Sequence, residues 1–175
     1  MPMRSLITPD LVWRQPINTL TAHQLKSYGL RALILDVDNT LVSDDETDVS
    51  PLAQDWINQM RQHFQIALAS NNFSNSRIQR IANTLNLPYR SRARKPSRRA
   101  VSELLAELNL PAAEVAMIGD RLFTDTIVGK RLGLFAILVE PWPSPYAAPN
   151  SIFAMRSSLL REWEIWLARR TGVEV

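Results

Sequence analysis

Residues 33–41 read Leu33-Ile34-Leu35-Asp36-Val37-Asp38-Asn39-Thr40-Leu41. Ala32 to Leu35 form a continuous apolar run, the pattern of a strand buried on both faces in a parallel sheet. Ligands of such sheets bind just beyond the carboxyl ends of the strands. Asp36 and Asp38 are therefore expected at the mouth of a crevice, pointing the same way because side chains alternate. Two acids this close repel each other and call for a cation or a shared proton, which suits a magnesium-dependent phosphoryl site. The same residues also suit a turn, because Asp and Asn bond their own backbone and tolerate unusual dihedrals. Taken alone, the stretch leaves both readings open.

Outward from this run, strands alternate with helices. Thr21 caps a short helix to about Tyr28, which Gly29 ends. Ser50-Pro51 supplies an N-cap and a first-turn proline for a helix to about Gln62. A strand at Gln65 to Ala69 follows, and then Ser74 caps a helix with Ile78, Ile81 and Leu85 on one face. Tyr89 belongs to a short extended piece. Pro96 to Leu108 reads as a helix, with Val101, Leu104, Leu105 and Leu108 at helical spacing. Val115 to Ile118 and Phe135 to Val139 read as strands, joined by a helix from about Thr124 to Leu132. This order predicts an α/β protein with a central, mainly parallel sheet and right-handed crossovers.

Pro141 to Pro149 contains four prolines and is expected to be a loop. A last helix runs from about Ile152 to Arg170. Leu159, Leu160, Trp163, Trp166 and Leu167 make its apolar face, beside Arg156, Arg161, Arg169 and Arg170. That stripe is expected to pack onto its own domain; a basic helix with tryptophan can instead lie on an anionic membrane.

The 175 residues suit one domain, divided into an N-terminal extension (1–30), a core (31–140) and the proline-rich loop with its helix (141–175). With no cysteine and two histidines, disulfides and thiolate sites are excluded and zinc is disfavoured, whereas magnesium needs only oxygens. No apolar run suits a bilayer span, and Met-Pro-Met-Arg lacks a signal-peptide core. A cytoplasmic location is expected, with peripheral membrane contact in view. Of 20 cations only Lys26, Lys95 and Lys130 are lysine. Arginine's planar fork suits phosphate, although genome composition explains the bias equally well.

Three further segments end apolar runs as a sheet-edge site requires. Ile66-Ala67-Leu68-Ala69 terminates in Ser70-Asn71-Asn72, a hydroxyl and two amides that suit phosphate oxygens or, equally, a turn. Arg94-Lys95-Pro96 leads into a helix, and Lys95 would neutralise phosphate charge or stand solvated. Val115-Ala116-Met117-Ile118-Gly119-Asp120-Arg121-Leu122-Phe123-Thr124-Asp125 is a strand, a glycine turn and two acids. Asp120 suits a hard cation; Asp125 suits that cation or the start of a helix.

In this order the four segments resemble the haloacid dehalogenase (HAD) superfamily of phosphohydrolases. The resemblance is to its subfamily IIIA, YqeG-like branch, related to phosphatidylglycerophosphate phosphatases, and it covers roughly Leu6 to Val139. It implies a three-layer, Rossmann-like fold and hydrolysis through an aspartyl-phosphate. Asp36 would be the nucleophile and Asp38 the general acid and base. Ser70, Asn71 and Lys95 would hold the phosphoryl group. Asp36, the backbone carbonyl of Asp38 and Asp120 would bind Mg2+, with Asp125 supporting the metal or orienting Lys95. An acid two residues after the nucleophile goes, in that superfamily, with phosphatases and phosphomutases.

Relatives that select small metabolites carry an inserted cap domain. Here 29 residues separate Asp38 from Leu68, and 24 separate Ser70 from Lys95, which leaves room only for the predicted elements. The site is therefore expected to be open and its phosphate ester large or membrane-presented, with phosphatidylglycerophosphate the first choice. A phosphoprotein or small metabolite is the alternative, and a non-catalytic binding protein is the alternative of another class. Arg90 to Arg99 holds six cations, which would attract a polyanion or anionic lipid surface or stand solvated. Nucleic acid is disfavoured because no aromatic residue is interleaved with them.

Overall fold

A computed structural model describes residues 3–43, 46–142 and 152–175, with the side chains of 152–158 left aside. The proline-rich loop expected at Pro141 to Pro149 lies outside the described residues beyond Trp142. The elements are α1 (Met3–Leu6), β1 (Leu11–Pro16), α2 (Ala22–Ser27), β2 (Ala32–Leu35), α3 (Pro51–Met60), β3 (Gln65–Ala69) and α4 (Asn75–Leu85). They continue with β4 (Tyr89–Arg90), α5 (Arg99–Leu108), β5 (Val115–Gly119), α6 (Ile127–Leu132), β6 (Phe135–Glu140) and α7 (Ile152–Arg170). Six strands form one sheet in the order β1-β6-β5-β2-β3-β4, and every neighbouring pair is parallel.

The run that suggested a doubly buried strand is one. All four residues of β2 are buried, and they divide by parity between the two faces. Leu33 and Leu35 join the cluster built with Trp56 and Ile57 of α3 and Ile78 and Ile81 of α4. Ala32 and Ile34 join the cluster built with Val101, Leu104 and Leu108 of α5 and Val128 of α6. Two helical layers thus sandwich the sheet, as its uniformly apolar strands require. β2 lies between β3 and β5, so the segments that follow these three strands emerge side by side at one edge. Among the described residues no helix is long and apolar enough to cross a membrane.

Thr21, Ser50 and Ser74 cap their helices as expected, but three features differ. The stretch expected to be an N-terminal extension contributes β1, which pairs with β6 at the sheet edge; Arg14 and Gln15 break the apolar pattern that would reveal a strand. The helix expected from Pro96 begins at Arg99. Arg92 and Arg94 take left-handed φ angles of 49° and 52°, and the chain folds back toward β3 first. Ala93 N–H donates to the carbonyl of Ser70 at 2.9 Å. The α7 stripe is also turned the other way. Leu159, Leu160, Trp163 and Trp166 are exposed, whereas Glu164 and Ala168 are buried: the Glu164 side of the helix faces the domain, and Trp163 reaches Phe123 edge-on.

Candidate active site

The segments after β2, β3, β4 and β5 converge beyond the carboxyl edge of the sheet. After β2 the chain makes a tight loop, with Asn39 at φ 58° and three successive N–H groups, of Thr40, Leu41 and Val42, donating to the carbonyl of Val37. This loop projects Asp36 and Asp38 into different surroundings. Asp36 is buried, and its Oδ1 lies 2.5 Å from Lys95 Nζ. Lys95 is buried as well. Its ammonium also donates to the carbonyl of Ala69 at 2.7 Å and pairs with Asp125 Oδ1 at 2.7 Å, so two buried carboxylates and a carbonyl surround its charge.

Asn71, expected to contact phosphate, engages the backbone of Lys95 instead. Its Oδ1 accepts the Lys95 N–H at 2.7 Å and its Nδ2 donates to the Lys95 carbonyl at 3.0 Å. The amide is thereby committed to holding the loop that delivers the ammonium. Ser70 Oγ donates to Asp38 Oδ2 at 2.7 Å. Asn72 and Arg77 donate to Asp38 Oδ1, so Asp38 sits among donors at the rim while Asp36 lies beneath it.

Behind Asp36, one carboxylate oxygen each of Asp36, Asp120 and Asp125 lie within 4.8 Å of one another. Burial, with Asp125 and Asp38 nearby, overcomes the attraction of Lys95 and pushes the Asp36 carboxyl up to about 7. Burial beside Asp36 and Asp125 likewise holds Asp120 well above the usual carboxylate range, against the pull of Arg121 and Arg161. For Lys95, burial favours the neutral amine, but Asp125 and Asp36 outweigh it and raise its pKa. Both oxygens of Asp120 are buried with no hydrogen-bond partner among the described residues. An orphaned buried carboxylate is costly, and an oxygen-preferring cation is the group that would satisfy it. The donor set therefore fits a divalent metal.

Gly119 makes this packing feasible. A Cβ there would fall inside contact distance of the Asp125 carboxylate and 2.7 Å from Asp125 Cβ. Asp125 sits in a π turn, Leu122–Thr126, ahead of α6, and its Oδ2 accepts the Arg121 N–H at 3.2 Å. The start of that turn is clamped from α7. Glu164 accepts from the Arg121 guanidinium, with Nε at 3.0 Å, and from the N–H of Leu122 at 3.1 Å. Arg77 and Glu164 carry no local signal of such roles in the sequence. Each meets its partner across tens of residues, 39 for Arg77 and Asp38 and 43 for Arg121 and Glu164.

The family described as mitochondrial PGP phosphatase matches residues 1–141 of this chain. The chain is 32% identical over 123 residues to the probable phosphatase YqeG of Bacillus subtilis, covering 70% of this chain and 71% of that protein. It is 28% identical over 181 residues to the chloroplastic phosphatidylglycerophosphate phosphatase 1 of Chlamydomonas reinhardtii, with 98% of this chain covering 65% of that protein. In fold it is similar to a structure described as a predicted HAD-like family hydrolase from Porphyromonas gingivalis. That match has a TM-score of 0.52 at 12% identity and covers 74% of this chain and 98% of the other.

Proposed function

The chain belongs to the PGP phosphatase family and is a phosphatase of the HAD superfamily, and on that premise we propose that it hydrolyses phosphatidylglycerophosphate through an aspartyl-phosphate on Asp36, with Mg2+ as cofactor. The observation that carries this reading is the buried trio Asp36, Asp120 and Asp125, closed on Lys95, with the Asp120 oxygens lacking a hydrogen-bond partner among the described residues. Once all three are ionised, three carboxylates around one ammonium leave two negative charges in excess, the charge of one divalent cation. Asp36, Asp120 and the backbone carbonyl of Asp38 would hold it, with Asp125 in support. When bound, it supplies the positive charge that lets an anionic nucleophile meet an anionic phosphate.

Asp36 forms its oxygen–phosphorus bond as the ester P–O bond breaks, and the electron pair stays on the departing oxygen. Asp38 gives that oxygen a proton. In the second step a water oxygen bonds to phosphorus, Asp38 takes the water's proton, and the Asp36–phosphorus bond breaks to release phosphate. Lys95 keeps Asp36 oriented and offsets charge on the transferring group. Ser70 turns its hydroxyl from Asp38 to the phosphoryl oxygens when substrate enters. Asn71 acts at one remove, by holding the Lys95 backbone.

The lipid substrate is supported by the named activity of the algal relative and by the surface around the site. Arg90 pairs with Glu103 and Glu107, Arg99 pairs with Glu103, and Arg92 donates to the carbonyl of Phe73. Arg94 and Arg98 are left exposed for an anionic partner, beside a cleft of about 370 Å³ that Arg92 and Arg94 help to line. Between the acid motifs, the described residues of 39–64 contain one helix, and 71–94 contain one helix and a two-residue strand, which supports a site without a cap. The exposed face of α7, on the helix that clamps the Asp120 loop, supports peripheral membrane contact.

The test is phosphate release from phosphatidylglycerophosphate, an aryl phosphate and a phosphopeptide, each with Mg2+ or EDTA. Mg2+-dependent release greatest from the lipid is expected. Release confined to the phosphopeptide would make the protein a phosphoprotein phosphatase, and no release by folded protein would favour a binding role. Asp36→Asn removes the nucleophile and should abolish turnover; retained turnover would sink the aspartyl-phosphate.

A further inference from the structure

Asp38 has to give up a proton and take one back, and its neighbours decide which of its two oxygens can do so. Oδ1 accepts from Arg77 Nη1 at 2.5 Å and from Asn72 Nδ2 at 3.1 Å. The Asn72 amide is oriented by its own Oδ1, which accepts the Ser74 N–H at 2.9 Å, so Nδ2 is the edge turned to Asp38. Arginine and an amide NH2 offer only donors. A carboxyl oxygen facing both has no room for a proton. Oδ2 faces the Ser70 hydroxyl at 2.7 Å, which can donate to a carboxylate or rotate and accept from a carboxyl.

Arg77 is itself held on its remaining edges. Nε donates to the carbonyl of Glu46 at 3.0 Å and Nη2 to the carbonyl of Ser43 at 3.1 Å. The guanidinium thus bridges α4 to the loop that carries Asp38, and its side chain is only 13% exposed. A planar fork tied at three points fixes direction in a way that an ammonium cannot.

We propose that Arg77 is the positioning residue of the proton shuttle: with Asn72 it occupies Asp38 Oδ1 with donors and turns Oδ2, on the side of Ser70, to the reacting groups. The proposal rests on the reading of Asp38 as general acid. In the first step the O–H bond at Oδ2 breaks, its electrons stay on Asp38, and the proton goes to the departing ester oxygen. In the second step Oδ2 takes one proton from the attacking water, which restores the starting state. Arg77 acts through Asp38 and the loop that carries it.

A shuttle aimed by Arg77 matters most when the leaving oxygen is strongly basic. Phosphatidylglycerophosphate releases an alkoxide, which needs the proton, whereas 4-nitrophenyl phosphate releases a stable phenolate, which does not. Arg77→Met should therefore lower kcat/KM about 100-fold on the lipid and less than about 3-fold on the aryl ester, within the range of general acid catalysis. Arg77→Lys should fall between wild type and Arg77→Met. Asp38→Asn is the reference. It should show the same selectivity, and adding Arg77→Met to it should cost little more, because the two act as one unit. Equal losses on both esters for Arg77→Met, with Asp38→Asn selective, would overturn the role of Arg77 and leave the mechanism standing. An Asp38→Asn variant without selectivity would overturn the general-acid reading and the proposal with it. If Arg77→Met melts below the assay temperature, Arg77→Gln and Arg77→Lys carry the same comparison.

Discussion

Asp36 lies under Lys95 with its carboxyl pushed up to about 7 by burial, while Asp38, two residues on, takes its donors from Ser70, Asn72 and Arg77. One acid is buried among other acids, and the other is aimed by hydrogen bonds at the rim. This difference has a measurable consequence in metal-free protein. Asp36 and Asp120 both bind protons more tightly when folded than when unfolded. The contribution of Asp36 to stability is therefore complete below about pH 4 and is lost as pH rises through about 7, and that of Asp120 is lost in the same direction. Lys95 is also raised, but its contribution is lost only at far more alkaline pH. In EDTA, the melting temperature should fall by at least about 3 °C between pH 5 and pH 8. Mg2+ should recover that loss at pH 8 and do little at pH 5, and Asp120→Asn should flatten both trends. A melting temperature that is level or rising over this window, without metal, would show that the acid trio is not strained.

At the scale of elements, the site depends on loops that no single strand or helix defines. β5 ends in Gly119, and the π turn that follows folds Asp125 back over it. Gly119→Ala would drive a methyl group into the Asp125 carboxylate. The expected cost is about 1–3 kcal/mol of stability, as for other overpacked sites, together with loss of the Mg2+-induced thermal shift. Calorimetry with and without Mg2+ checks both, and an unchanged shift would mean that Asp125 is dispensable for the metal. The loop after β4 shows the same logic. Asn71 of one loop pins the backbone of Lys95 in the other, so the ammonium is delivered by a contact between loops rather than by the helix that follows it.

Across the whole molecule, α7 joins the site to a surface. Glu164 clamps the loop after Asp120, and Trp163 lies edge-on to Phe123 with ring centroids 6.0 Å apart. Outward, Leu159, Leu160, Trp163 and Trp166 are each about half exposed or more, with Arg170 stacked over Trp166 at 4.1 Å. Apolar and aromatic groups flanked by arginine suit the interface of an anionic bilayer. The double change Trp163→Ser and Trp166→Ser should reduce flotation with anionic liposomes about tenfold and leave hydrolysis of 4-nitrophenyl phosphate within about twofold, since two exposed tryptophans would contribute affinity and no chemistry. Unchanged flotation would assign α7 to packing alone.

Much of this was legible in the chain itself, for physical reasons that can be named. An apolar run that must be buried on both faces made β2 a central parallel strand, and Ser50-Pro51, Thr21 and Ser74 marked helix starts through local capping. Asp36, Ser70, Lys95 and Asp120 could be read as one site because each follows a strand or loop at the same sheet edge. Tertiary structure alone decided the rest. Strand β1 is edge-paired and half-polar, so its sequence lacks the pattern that burial would impose. The α7 stripe looked like core because helical periodicity shows that a face is apolar and not what covers it. Arg77 and Glu164 are single charged residues on helices, and their roles exist only where the fold brings them to Asp38 and to Arg121.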